Sequence, residues 1–332
     1  MTGFPLTIAM GDYDRTRALV DGTVRPDGID LTCVLMEPGD LFARVARDRE
    51  FPAAEFSLST YLNFRARDDH RLMAIPVFPS RMFRHGYIWV NRHAGIATPS
   101  DLRGRRVGTI QYQVTSNLWT RGFLRDDHGI VPQDFTWVFG GTDEPGEHER
   151  APVAIPAGVH VEAAPPDRSL GEMLAAGDID ALFVPHLPRV VAEGDPNIVR
   201  LFPDFRTVET DYYRRTSLFP IMHVVVLRED VLRAEPWVAR SLFDAFCAAK
   251  AHALRRLRST GTLAVMLPWM VEELEAAQAL FGAKYWPYGV ADNRAELDAA
   301  VRYASEQGIA VRDLDVGELF VPDTYDLIDP GA

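Results

Sequence analysis

The feature that most constrains the fold of this 332-residue chain is an alternation of short apolar runs with amphipathic segments. Residues 6–10 and 29–36 are rich in β-branched and apolar side chains, whereas the apolar spacing of residues 38–47 suits a helix. Residues 72–78 return to the strand pattern, and residues 87–91 add one more strand. Such alternation predicts βαβ units, in which parallel strands are covered by helices.

A second block of the same kind follows. Its helix over residues 115–128 ends at Gly129, and a helix over residues 169–176 has Gly177 as its C-terminal cap. The strands predicted in this block are 135–139, 159–163 and 179–184. This part of the chain therefore predicts a second α/β lobe.

Chain length also favours two lobes, because 332 residues exceed the usual size of one compact core. The apolar strand 221–227 is expected to return to the first lobe, and three helices follow it: 236–257, 269–281 and 293–307. We predict that residues 1–91 and 221–332 form lobe 1, that residues 92–205 form lobe 2, and that residues 206–220 cross back between them. The C-terminal helices are expected to pack on lobe 1, and two segments rich in turn residues, 140–158 and 184–196, are expected to be surface loops.

The charge balance limits the partners. Thirty-five Lys and Arg residues against 47 Asp and Glu residues give a net charge of −12, which disfavours nucleic acid and anionic membranes as partners. An acidic ligand would need a local cluster of positive charge. The N-terminus has the pattern of a first strand and not of a signal peptide, no apolar run approaches ~20 residues, and Cys33 and Cys247 are isolated. We therefore expect a cytoplasmic protein.

The strongest local signal is the segment 78–85 (FPSRMFRH) at the end of a predicted strand, where ligands bind in open α/β sheets. Arg81 and Arg84 can each hold a carboxylate through two hydrogen bonds. Phe78 and Phe83 offer a surface for an aromatic ring. The alternative is a solvated basic turn with two core phenylalanines.

His223 is the second candidate. It lies inside an apolar strand, between Met222 and Val224, at the predicted crossing between the lobes. A histidine in that position is either a core residue with its hydrogen bonds satisfied or a proton donor near neutral pH.

Two further candidates follow predicted strands. In residues 11–16 (GDYDRT), Tyr13 or Asp14 could contact a ligand hydroxyl, or an aspartate could cap a helix. Thr115 stands where a strand leads into a helix, where it could cap the helix or help to bind an anion.

The sequence contains no GxGxxG, P-loop, HExxH or GxSxG motif, so we expect no cofactor. We also expect no metal, because no histidines pair at ligand spacing. A metal site would have to be assembled from His85, His186 and His223, which are distant in the chain.

Several segments together resemble the 4,5-dihydroxyphthalate decarboxylase family, and the resemblance runs from about residue 6 to residue 324. The matching segments are 11–16, 57–61, 76–85, 112–115, 119–122, 212–216, 219–223, 267–269 and 286–289. The segment 185–188 (PHLP), which contains His186, departs from the family pattern and puts the exact substrate in doubt.

The resemblance implies an α/β type II periplasmic-binding-protein-like fold with two lobes, a ligand cleft between them and a helical C-terminal part. It also implies decarboxylation of a hydroxylated aromatic carboxylate, 4,5-dihydroxyphthalate to protocatechuate and CO2, by protonation of the ring carbon in a closed cleft. On this basis we expect His223 or His85 to be the acid, Asp14 to be the partner of the phenol, and Arg81, Arg84 and Arg121 to be carboxylate anchors. Further substrate contacts are expected from Thr115, Tyr13, Phe83 and Ser59.

Two other functions remain open from the sequence. One is lyase chemistry on another small acid, as in menaquinone-pathway enzymes of the same scaffold. The other is a cytosolic binding or sensor protein that closes on an aromatic acid without turnover. A homo-oligomer is possible with either.

Overall fold

The structure, a computed structural model, describes residues 3–146 and 153–331, and its strands form two sheets. The strands are β1 (Phe4–Met10), β2 (Ile29–Leu35), β3 (Ala53–Ser57), β4 (Leu72–Ile75), β5 (Ile88–Asn91), β6 (Arg106–Thr109), β7 (Thr136–Phe139), β8 (His160–Ala163), β9 (Ala181–Phe183), β10 (Ile198–Arg200) and β11 (His223–Arg228). The helices are α1 (Arg17–Val20), α2 (Pro38–Asp48), α3 (Leu58–Ala66), α4 (Thr115–His128), α5 (Leu170–Ala176), α6 (Arg189–Ala192), α7 (Phe205–Thr216), α8 (Glu229–Ala234), α9 (Val238–Leu257), α10 (Met270–Phe281) and α11 (Arg294–Glu306).

The first sheet has the order β2-β1-β3-β11-β4 and forms lobe 1. Strand β1 is parallel to β2 and β3, whereas β11 is antiparallel to β3 and β4 on its two sides. Every residue of β3 is buried, as the small and apolar side chains of its sequence AAEFS allow. The one charged residue in that strand, Glu55, therefore lies inside the lobe.

The second sheet has the order β10-β5-β9-β6-β7-β8 and forms lobe 2. Strand β5 is antiparallel to both of its neighbours, β9 and β10. The strand predicted over residues 87–91 is thus present but belongs to the second sheet, so the chain enters lobe 2 before Ile88 and not after Asn91. The apolar run showed a buried strand, but it carried no information about which sheet would accept it.

The return to lobe 1 also differs from the prediction. The segment expected to be a simple crossover, 206–220, is mostly α7, which connects β10 to β11. Its helical periodicity is weak in the sequence because Tyr212 is its one buried residue. Helix α3 was missed for a different reason: all nine of its residues are buried, and its polar side chains are not grouped on one face.

The C-terminal helices contact both lobes, which corrects the prediction that they pack on the first alone. Helix α9 lies against α1 of lobe 1, whereas α11 packs against α3 of lobe 1 and α4 of lobe 2. Gly122 on α4 allows this close approach, because a Cβ there would lie 2.3 Å from the Tyr303 ring on α11. Helix α4 itself has the predicted bounds, and Gly129 ends it with a φ of 62°.

Other features are only partly described. Of the loop predicted over residues 140–158, residues 147–152 lie outside the described residues. In the part of the chain that the structure describes, no helix combines the length and the apolar character needed to cross a membrane.

Candidate active site

The centre of the site is a buried carboxylate, Glu55, in the middle of β3. Its side chain is 0% exposed and accepts three hydrogen bonds. The Gly11 amide donates to Oε2 at 2.7 Å, the Tyr13 hydroxyl donates to Oε1 at 2.6 Å, and Nδ1 of His223 lies 2.5 Å from Oε1. The sheet sets this geometry: His223 is directly opposite Ser57, so its side chain lies diagonally beside Glu55 on the same face.

The hydrogen bonds decide the charge of Glu55. Burial by itself would raise the pKa of this carboxyl, but the contacts from His223, the Gly11 amide and Tyr13 outweigh burial and hold the pKa below its usual value. Glu55 is therefore an anion at neutral pH. Burial, followed by the neighbouring Glu55 charge, raises the pKa of the Tyr13 hydroxyl, which stays protonated as a donor.

This arrangement orients the imidazole ring of His223. Because the Glu55 anion accepts from Nδ1–H, the other ring nitrogen, Nε2, is free for a ligand. The His223 side chain is 15% exposed, whereas Glu55 is closed to solvent. The Phe42 ring lies edge-on to the imidazole, 4.7 Å away between centroids, and restricts its rotation. A buried carboxylate behind an imidazole also stabilises the positive ring that forms when Nε2 gains a proton.

Two helices from different lobes begin beside this group. Ser57, the N-terminal cap of α3, lies 2.9 Å from the Thr115 hydroxyl at the start of α4, and the Ser59 amide donates to that hydroxyl at 3.1 Å. The structure thus brings Thr115 and Ser59 close to His223. Three buried hydroxyls here, those of Ser59, Thr60 and Ser116, have no hydrogen-bond partner among the residues that the structure describes. Unpartnered donors at a helix N-terminus are the features of an anion site.

Arg84 is a second candidate for anion binding. It is buried between the loop after β9 and the strand that carries His223: Nη1 donates to the Pro185 carbonyl at 2.8 Å, and Nε approaches the Met222 sulfur at 3.2 Å. Burial lowers the pKa of this guanidinium to about 10, so it remains a cation at neutral pH. Within residues 3–146 and 153–331 it forms no salt bridge, and a ligand carboxylate could supply the missing negative charge.

The other two predicted arginine anchors are both buried but differ in how many partners they have. Arg81 has a fully buried side chain, which donates to the Phe219 and Pro287 carbonyls at 3.0 and 3.1 Å and contacts Glu296 at 3.3 Å. Arg121 donates to the Gln307 side chain at 2.7 Å and stacks on Tyr112 at the interface of α4 with α11. Arg121 is six residues beyond Thr115, or about 9 Å along the helix. Both Nη atoms of Arg121 are buried and have no hydrogen-bond partner among the described residues.

His85 and Phe83 are likewise separate from the pair. His85 stacks on Phe123 with centroids 3.9 Å apart, and burial lowers its pKa to about 3. A histidine that stays neutral at physiological pH is a poor proton donor, so this expected role is not supported. Phe83 stacks with Phe219 and Phe281 and lines a separate cavity of about 860 Å³ between α7 and α10.

The remaining candidates from the sequence are Asp14 and His186. Asp14 is exposed and pairs with Arg15 at 3.0 Å, so it does not join Tyr13 in the cluster. His186 is exposed and lies 3.4 Å from Asp143. Among the described residues, no three His, Cys, Asp or Glu side chains are arranged to hold a metal ion.

Sequence reasoning missed Glu55, the residue that organises the site. The available signal was a single carboxylate in a short uncharged run, AAEFS, followed at once by the hydroxyl-rich SLST. A charged residue in such a run is buried at a cost unless it has partners. Those partners come from residues more than 40 positions away, which the sequence does not bring together.

Comparisons with known proteins define the class first. A family model described as the periplasmic substrate-binding protein of a phosphonate ABC transporter matches residues 50–187. The periplasmic aliphatic sulphonate-binding protein SsuA from Escherichia coli superposes with a TM-score of 0.57 at 13% identity, covering 98% of this chain and 99% of that one. The desulfurization enzyme DSZB superposes with a TM-score of 0.51 at 16% identity, covering 97% and 98%. The chain therefore has the two-lobed periplasmic-binding-protein fold, as the resemblance implied.

Sequence relatives define the family. A 4,5-dihydroxyphthalate decarboxylase from Comamonas testosteroni is 38% identical over 322 residues, which cover 97% of this chain and 98% of the relative. A protein of the same name from Pseudomonas putida is 41% identical over 217 residues, 65% of this chain and 84% of the relative. This chain belongs to the 4,5-dihydroxyphthalate decarboxylase family.

Proposed function

We propose that this protein is a carboxy-lyase that converts 4,5-dihydroxyphthalate to protocatechuate and CO2, with His223 as the acid. The observation that carries the proposal is the buried Glu55 anion on Nδ1 of His223, which leaves Nε2 available to a ligand, while Ser57, directly opposite His223, contacts Thr115 at the start of α4. The names of both sequence relatives support the choice of substrate. A cytoplasmic location stays a prediction of the sequence.

The two carboxylates of 4,5-dihydroxyphthalate bind to the positive groups around His223. One carboxylate accepts hydrogen bonds from the hydroxyls of Ser59, Thr60 and Ser116, and the positive end of the α4 dipole favours its charge. The second carboxylate pairs with Arg84, the buried cation beside Met222. Two anion sites at different positions would fix the ring in one orientation.

The chemical step needs one proton on carbon. The hydroxyl para to the departing carboxylate feeds electron density into the ring, and His223 Nε2 delivers a proton to the ring carbon that bears that carboxylate. The bond to the carboxylate carbon then breaks, its electron pair returns to the ring, and CO2 leaves. Glu55 stabilises the protonated ring of His223 before the transfer and keeps its tautomer fixed afterwards.

The rate acceleration that His223 can contribute as a general acid is limited. A well-placed general acid contributes roughly 10²–10⁴ in rate, so positioning and the electrostatic environment must supply the rest. The site offers both, since Glu55 is closed to solvent and the Ser57–Thr115 contact joins the two lobes at the end of the strand that carries Glu55.

The test is incubation of the purified protein with 4,5-dihydroxyphthalate, with CO2 and protocatechuate both quantified. The proposal predicts equal amounts of the two products and repeated turnover. Tight binding without product would overturn it in favour of a binding or sensor protein, the function of several proteins that share the fold.

A further inference from the structure

Tyr13 and His223 share one acceptor atom. The Tyr13 hydroxyl lies 2.6 Å from Oε1 of Glu55, and Nδ1 of His223 lies 2.5 Å from the same oxygen. The Gly11 amide binds the other carboxylate oxygen, Oε2, at 2.7 Å. Each carboxylate oxygen has two lone pairs, so the two side chains together occupy Oε1. The tyrosine hydroxyl therefore competes with the imidazole for the negative charge of Glu55.

Two neighbours strengthen Tyr13 as a donor. The Arg15 guanidinium lies over the Tyr13 ring, 4.2 Å from its centroid, while its Nε donates to the Pro79 carbonyl. The Ser80 side chain forms a hydrogen bond with the Tyr13 side chain. Both neighbours lower the pKa of the hydroxyl, although burial and the Glu55 charge outweigh them and keep it protonated. A more acidic hydroxyl donates a stronger hydrogen bond to an anion, so Arg15 and Ser80 reinforce the contact with Glu55.

An unshared carboxylate would hold the proton of His223 too firmly. Glu55 is 0% exposed, and an anion in such surroundings attracts an imidazolium more strongly than it would in water. A general acid is most effective when its affinity for the proton matches the working pH, so excessive affinity slows transfer to carbon. A second donor on Oε1 draws part of the negative charge away from the imidazole.

The other charges near the imidazole act without a hydrogen bond to Glu55. Among the described residues, the charged and titratable groups that the contacts place around His223 are Glu55 on β3, Tyr13 and Arg15 after β1, and Arg84 after β4. The neighbouring side chains from α2 and α4, Phe42 and Thr115, carry no charge. Within the described part of the chain, the Tyr13 hydroxyl is thus the one side-chain donor to Glu55 besides His223 itself.

We propose that Tyr13 is a positioning residue that lowers the proton affinity of His223 by competing with it for Oε1 of Glu55. The hydroxyl need not touch the substrate to do this. Its consequence for catalysis rests on the proposed function, because it explains how a histidine paired with a buried anion releases its proton. The proton affinity itself can be measured without turnover.

The test is Tyr13→Phe, which removes the hydroxyl and keeps the ring. The proton titration of His223 is followed by NMR in the ligand-free protein, and its signal is the one missing from His223→Asn. We expect the midpoint to rise by about 0.5–1 pH unit, which corresponds to the loss of one hydrogen bond. In the enzyme assay, the loss of kcat at high pH should move upward by the same amount, because His223 stays protonated to a higher pH. A role in packing alone would move neither midpoint.

Two other variants complete the test. Tyr288→Phe is the matched control, because Tyr288 is buried and its hydroxyl has no hydrogen-bond partner among the described residues, so its midpoint should equal that of the wild type. Ser80→Ala should raise the midpoint by a smaller amount and should add nothing to Tyr13→Phe. Since it leaves the tyrosine in place, it also serves if Tyr13→Phe does not fold.

The outcomes separate this proposal from the proposed function. A midpoint that stays the same or falls in Tyr13→Phe would overturn the role given to Tyr13, whether or not the protein forms protocatechuate. A raised midpoint in a protein that forms no protocatechuate would support the role of Tyr13 and overturn the proposed function instead. A Ser80→Ala shift that persists undiminished in the Tyr13→Phe background would also count against the proposal, because Ser80 would then act by another route.

Discussion

Replacement of Glu55 by glutamine tests whether the carboxylate organises the active site. The glutamine side chain has the same shape, but only one of its two terminal atoms accepts a hydrogen bond. In the wild type, His223 and Tyr13 meet at Oε1 while the Gly11 amide donates to Oε2. All three partners are donors, so the amide NH2 must face at least one of them.

Either orientation of the amide has a predictable cost. With the amide oxygen toward His223, the NH2 opposes the buried Gly11 amide, which then lacks a partner and costs about 1–3 kcal/mol of stability. With the oxygen toward Gly11, the NH2 donates to Nδ1 and forces the proton onto Nε2, so the imidazole loses its anionic partner. In both cases the positive imidazole loses the adjacent negative charge. We expect kcat to fall about 10²–10⁴-fold.

The assay is steady-state protocatechuate formation from 4,5-dihydroxyphthalate, together with urea unfolding. Glu296→Gln is the matched control, because Glu296 is also buried and holds an arginine, Arg81, at 3.3 Å. The control is expected to lose stability but to keep its kcat. A Glu55→Gln enzyme with kcat close to that of the wild type would refute the role given to Glu55.

Three further predictions concern charge, packing and binding. Burial raises the pKa of Glu209 from 4.5 to about 7, so the folded state holds a proton that the unfolded state has lost and stability falls as pH rises between these values. This difference in the pKa of Glu209 corresponds to about 3 kcal/mol in the free energy of unfolding. Glu209→Gln should remove this pH dependence, as measured by urea unfolding at pH 5 and pH 8. An unchanged pH dependence would contradict the role given to Glu209. Gly122→Ala should destabilise the protein by about 1–3 kcal/mol, since its Cβ would lie 2.3 Å from the Tyr303 ring, and an unaltered unfolding midpoint would be inconsistent with this packing. Arg84→Ala should raise KM about 10-fold or more by removing a charged hydrogen bond, whereas Arg81→Ala should lower stability without raising KM; the reverse pattern would exchange their roles.

Local patterns in the sequence were sufficient for many of the helices and strands and for the two-lobed architecture, but not for α3 and α7. Helix α4 has an amphipathic period and a glycine at its end, so both of its bounds were predictable. The membership of β5 in the second sheet was not predictable, because an apolar run looks the same in either sheet. The polar and apolar residues of helix α3 are not separated onto two faces, so its sequence shows no helical period.

The same limit applies to the site. His223 was recognisable because a histidine interrupts an apolar strand, but the carboxylate that was singled out was Asp14, as the partner of the phenol, and not Glu55. Only the register of β11 on β3, which pairs residues more than 160 positions apart, places the Glu55 carboxylate beside the imidazole. Arg81 and Arg84 look equivalent in the segment 78–85. In the structure, Arg81 binds two backbone carbonyls and Glu296, whereas Arg84 has no carboxylate partner among the described residues.

The central claim is that His223 delivers the proton to the ring carbon. The most direct test measures CO2 release and compares kcat and KM of the wild type, His223→Asn and His85→Asn. Asparagine keeps some polarity at position 223 but cannot donate a proton of suitable acidity. The account predicts that His223→Asn lowers kcat about 10²-fold or more with little change in KM, and that folded His85→Asn keeps its kcat. A His223→Asn enzyme with near-normal kcat, or a loss of kcat confined to His85→Asn, would contradict it.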